Sequence, residues 1–78
     1  MENHNLAFGK TLRKFRTRQN ITQEMLGGYA GLDRTYISLL ELGQRSPTLD
    51  TIVAICAALD VELPDFIFEV DTIRKSIE

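Results

Sequence analysis

The sequence predicts an all-α fold: a single domain, residues 1–78, built from five short helices. Three observations lead there. Apolar residues recur at helical spacing, as in Phe8, Leu12 and Phe15. No stretch alternates as a half-buried strand would, and no segment repeats. Helix starters (Thr22, Asp33, Thr48) and helix stoppers (Asn20, Gly31, Gly43) punctuate the pattern at short intervals.

Helix one is expected over about 5–19, with Asn20 as a left-handed stop. Thr22 caps a second helix, Gln23 to Ala30, whose inward residue is Leu26, with Met25 and Tyr29 as further candidates. Gly31 ends it. Asp33 caps a third, Arg34 to Leu42, stopped by Gly43. After the Ser46-Pro47 turn, Thr48 caps a fourth, Leu49 to Asp60, with Asp50 well placed in its first turn. Leu49, Ile52, Val53, Cys56 and Leu59 are its expected inward face. Ala54, Ala57 and Ala58 make it apolar almost all round, which suits the middle of a core. Pro64 fits the first position of a fifth helix.

Composition removes several classes of function. Cys56 is the one cysteine and His4 the one histidine, so neither an intrachain disulfide nor a four-ligand zinc site can form. Cys56 reads as a buried small hydrophobe. No cofactor or metal is expected, and no nucleophile lies near a titratable pair or a glycine-rich loop, so an enzyme is not expected. The N-terminal residues carry no apolar run, which points to the cytoplasm rather than to a membrane or the secretory route. A domain of 78 residues with no staple must rely on helix packing, on self-association, or on both.

The formal charge of −2 is unevenly spread. Residues 1–48 hold seven basic and four acidic side chains, a net of +3; residues 49–78 hold two and seven, a net of −5. Such polarity allows a basic working face on an acidic protein.

Helices two and three, joined by about three residues around Gly31, form a helix-turn-helix. Gly27 allows helix three to cross close to helix two, whereas Gly28 merely weakens its helix. With Ile37 at the centre of the buried face and about 100° per residue, Leu40 and Asp33 fall inside. Thr35, Ser38, Leu39 and Leu42 fall outside, with Arg34 and Tyr36 on the flanks. A solvated face would carry Glu and Lys. A mixture of Arg, Thr, Ser and Leu suits the major groove, where arginine forks onto guanine and methyl groups meet thymine. A protein partner also accepts Tyr, Leu and Arg, so an interaction module on the same scaffold, such as an antitoxin-like partner protein, is the competing reading. Glu41 falls about 40° from Ile37 on the wheel, on the buried side, and needs a basic partner. Arg16 is the candidate.

Residues 8–68, carrying "LRKFRTRQNITQEMLGGYAGLDRTYISLLELGQRSPTLDTI" and "AALDVELPDFIF", resemble the helix-turn-helix domain of the Cro/cI-type (XRE) repressors. "GLDRTYIS" with "LELGQR" is most similar to the controller proteins of restriction–modification systems. The resemblance implies a lambda-repressor-like fold and a sequence-specific transcription regulator that binds double-stranded DNA. It implies base-facing roles for Arg34, Thr35 and Leu39. Gln23, Tyr36, Ser38 and Arg45 match positions on the DNA backbone or groove wall, and Arg16 with Glu41 matches an internal salt bridge. Family members are small autoregulatory dimers. In this chain Phe66, Val70, Ile73 and Ile77 recur as a narrow stripe, which makes residues 64–78 the expected dimerisation segment.

Overall fold

The computed structural model describes residues 3–77 and contains five helices, with no strand among the described residues: α1 Asn3–Arg18, α2 Gln23–Ala30, α3 Arg34–Glu41, α4 Leu49–Leu59 and α5 Leu63–Ser76. The caps act where local chemistry puts them. Thr22 accepts from the Met25 amide, Asp33 from Thr35 and Thr48 from Thr51, each supplying an acceptor to a first-turn N–H that has none within its helix. Gly31 and Gly43 end α2 and α3 in the left-handed region at φ 70 and 73. Asp60, expected inside α4, is instead its left-handed cap at φ 55. Pro64 stands one residue into α5, because the helix begins at Leu63.

α1 packs on α5 and α3, α2 on α3 and α4, and α4 on α5. Phe8, Leu12, Leu26, Ile37, Leu40, Ile55, Leu59 and Phe66 meet in one core. The Phe66 ring lies 5.5 Å from Phe8 and 5.6 Å from Phe15, centroid to centroid. Polar ties close the edges: Gln19 Nε2 donates to the Leu59 carbonyl at 2.6 Å, and Lys14 pairs with Glu69 between α1 and α5.

Four expectations about facing are corrected. Leu49 and Val53 point outward, 68% and 49% exposed, while Thr51, Ile55, Cys56 and Leu59 form the buried face of α4. An all-apolar helix carries no phase of its own, and packing chose a different side. Met25 and Tyr29 are exposed, so Leu26 with Gly27 alone makes the buried face of α2. Asp33 is exposed, since a cap precedes the turn its side chain would have to pack beneath. Phe66 is wholly buried in this chain's own core, which withdraws it from any surface offered to a second copy.

Candidate nucleic-acid interface

Two close approaches hold α3 in place. Where α1 passes α3 stands Gly9. A Cβ there would meet the Leu40 carbonyl oxygen and lie 2.5 Å from that of Glu41. Where α2 passes the start of α3 stands Gly27, and a Cβ there would lie 2.5 Å from the Leu32 carbonyl oxygen. Backbone carbonyls cannot swing aside as a flexible side chain can, so these glycines fix how near the three helices come.

An ion pair locks the same junction. Arg16 Nε donates to Glu41 Oε2 at 2.6 Å and a terminal nitrogen to Oε1 at 3.0 Å; the other terminal nitrogen donates to the Ile21 carbonyl at 2.9 Å. The Arg16 side chain is 12% exposed and that of Glu41 4%. Hydrogen bonding to Glu41 raises the Arg16 pKa above the ordinary arginine value, partly opposed by burial. The expected salt bridge is therefore present, and it reaches further than α1 and α3. Gln23 Nε2 also donates to Glu41 Oε1, at 3.1 Å, so one carboxylate ties the first turn of α2 to the last turn of α3.

With α3 so fixed, Arg34 and Thr35 are exposed and Tyr36, Ser38 and Leu39 are half-buried. Gln23, Arg34, Thr35 and Ser38 line one cleft; Arg16, Thr22, Gln23, Glu24 and Arg34 line its neighbour. The structure thus brings Gln23, Arg34, Thr35 and Ser38 together. Leu39 lies further along α3 outside both clefts. Arg45 stands exposed in the loop between α3 and α4. Tyr36 leans on α4, its hydroxyl 3.4 Å from Thr51 Oγ1, which in turn takes a hydrogen bond from Thr48 Oγ1 at 3.0 Å.

Lys10, Arg13, Arg18, Arg34 and Arg45 form no ion pair among the described residues, whereas Lys14, Arg16 and Lys75 do. All five unpaired cations belong to the basic first part of the chain. An exposed arginine and threonine on a firmly held helix, with a glutamine amide beside them, are what base edges and phosphates require. The described residues contain no group of three His, Cys, Asp or Glu able to hold a metal. None of their helices is long and apolar enough to cross a membrane.

Sequence reasoning missed Gly9 and Thr51, and the resemblance set Gln23 against the third helix without naming Glu41 as its acceptor. A glycine inside an otherwise strong helix signals the first. The second follows the cap Thr48 by three residues, the spacing at which a capped residue turns inward. The bond to Glu41 carries no local signal, because it joins residues from different helices.

Comparison with known proteins agrees with this geometry. A family model for helix-turn-helix proteins matches residues 12–66. The control protein C.BamHI of Bacillus amyloliquefaciens is 41% identical over 66 residues, spanning 83% of this chain and 82% of that one. The crystal structure of the restriction–modification controller protein C.AhdI of Aeromonas hydrophila superimposes with a TM-score of 0.78 at 39% identity, over 80% of this chain and 94% of that one. The controller protein C.Esp1396I, solved as a tetramer in complex with its natural 35 base-pair operator, gives 0.84 at 28% identity, over 91% and 93%. The chain belongs to the helix-turn-helix family of Cro/cI-type DNA-binding transcription regulators, among the relatives of the restriction–modification controller proteins.

Proposed function

We propose that this protein is a cytoplasmic homodimer that reads a near-palindromic operator and regulates its own expression within a restriction–modification system. The observation that carries the reading is the exposure of Arg34 and Thr35 on α3 beside Gln23. Arg34, Thr35 and Leu39 read bases. Gln23, Tyr36, Ser38 and Arg45 hold the backbone or groove wall. One helix of eight residues reads too few bases for specificity, and a dimer doubles the reading over half-sites about one helical turn apart.

The dimer surface is the α4–α5 seam together with the C-terminal part of α5. Val53 and Leu63 line one open cleft together with Asp60 and Glu62, and Ile52 and Ile67 line another together with His4, Asn5 and Pro47. Leu49, Val53 and Ile67 are exposed along these helices, and Val70, Ile73 and Ile77 are half-buried.

Selection of bound fragments from random DNA tests the proposal. A two-fold symmetric consensus supports it, and binding that steepens as salt is lowered adds the phosphate contribution. A pool that emerges unenriched in any sequence refutes the base-reading role.

A further inference from the structure

We infer that Glu41 is a positioning residue for the DNA backbone contact: its carboxylate aims the Gln23 amide at a phosphate. The inference rests on the reading of Gln23 as a phosphate contact.

A salt bridge between Arg16 and Glu41 alone would need nothing from α2. Yet Glu41 Oε1 accepts from two donors, Arg16 at 3.0 Å and Gln23 Nε2 at 3.1 Å, while Oε2 takes the shorter bond from Arg16 Nε. A glutamine amide carries two N–H donors on one nitrogen. Holding one on a buried carboxylate fixes the position of the amide nitrogen and leaves the second N–H to donate elsewhere. Gln23 itself is half-buried and lines both clefts beside Arg34. A free glutamine samples three torsions and loses that freedom on binding, whereas this one is held before DNA arrives.

The bond also decides which end of the amide meets the ligand. A carboxylate accepts only, so the nitrogen of Gln23 must face Glu41. With the nitrogen anchored there, its remaining N–H is the polar group the first turn of α2 adds to the backbone amides and to Arg34. Exchanging carboxylate for carboxamide at 41 removes this bias, because an amide can present either end.

The test is a scan of operator duplexes in which single phosphates are replaced by neutral methylphosphonates. In the wild type, neutralising the phosphate opposite Gln23 should weaken binding about tenfold, the size of one hydrogen bond to a charged group. Gln23→Ala should be indifferent to that same substitution, and Glu41→Gln should be equally indifferent, with the selected base consensus unchanged. If Gln23→Ala is indifferent at one phosphate but Glu41→Gln stays sensitive there, the positioning role is overturned while the Gln23 contact stands. If Gln23→Ala is indifferent at none, the Gln23 contact itself falls, and the inference with it. Should Glu41→Gln fail to fold, the paired apolar replacement Arg16→Met with Glu41→Met removes the acceptor without stranding a charge and is read at the same phosphate. A measurement on the wild type needs no variant: one Gln23 side-chain amide proton should exchange slowly in free protein. Exchange of both protons at the rate of an exposed glutamine would overturn the inference.

Discussion

Gly9 on α1 lies against the backbone of Leu40 on α3, so closely that no side-chain carbon fits between them. The last turn of α3 therefore rests on a bare stretch of α1. Gly9→Ala is expected to cost about 1–3 kcal/mol from overpacking, more than the ~1 kcal/mol that alanine returns in helix propensity. Gly28 is the counterexample: a Cβ there meets nothing within 4 Å. Gly28→Ala should stabilise by about 1 kcal/mol, raising the melting temperature by roughly 4–8 °C for a domain of this size. Thermal unfolding of the two variants checks the opposite signs, and equal signs would refute the packing argument.

Removing Glu41 strands a buried guanidinium. Glu41→Ala should lose about 3–5 kcal/mol, and the double change with Arg16→Met should regain part of it. Denaturant titration of the full cycle measures the coupling. Strictly additive losses would mean that the two residues act independently.

Arg34 and Arg45 should fail in different ways. Arg34→Ala is expected to relax base preference at one position per half-site, at a cost of about 1–3 kcal/mol. Arg45→Ala should weaken all sequences alike and lower the salt slope by roughly one unit. An unchanged consensus for Arg34→Ala would remove that residue from base reading.

Self-association should respond to the α4–α5 surface. Val53→Asp with Ile67→Asp is expected to shift the protein from twice the monomer mass towards monomer in sedimentation at micromolar concentration, and to weaken operator binding. Phe66→Ala should behave differently, losing about 3–5 kcal/mol as a core truncation. A wild-type protein that sediments as a monomer at high concentration would refute a preformed dimer.

The end of α5 should fray in acid. Asp71 accepts from Arg74 and pairs with Lys75, and these bonds hold its carboxyl below the usual carboxylate range. A carboxylate depressed in the folded state contributes its stability above the unfolded pKa and loses it as pH falls through the folded one. Amide protection at residues 74–76, relative to the intrinsic exchange rate at each pH, should fall over that window, and Asp71→Asn should abolish this loss of protection.

Much of this architecture is written locally. Thr22, Asp33 and Thr48 cap where short polar side chains reach a first-turn amide, and α2 runs over the residues its punctuation specifies. The partner of Glu41 was also legible, because a carboxylate on the apolar side of α3 demands a cation. What stayed hidden depends on phase and on distant contacts. α4 offers hydrophobic residues in every direction, so only packing distinguishes Ile55 from Val53. The stripe on α5 begins at a phenylalanine that the monomer needs for itself, because Phe8 and Phe15 wait for it on α1. The candidate site residues stood out for a different reason: exposed Arg34 and Thr35 and half-buried Ser38 carry side chains that bond nothing among the described residues.

The division of charge between the two parts of the chain has a kinetic consequence. Residues 1–48 carry +3 and residues 49–78 carry −5, so a polyanionic duplex attracts the first part of the chain and repels the second. Both forces act before any contact forms, favouring approaches that lead with Arg34 and Arg45 over approaches that lead with Asp65 and Glu69. Orientation that random collision would have to find is supplied during the approach. Dissolved ions shorten the range over which this happens to about 8 Å at physiological ionic strength. Raising ionic strength should therefore lengthen the search for a productive encounter even where the finished complex is tight.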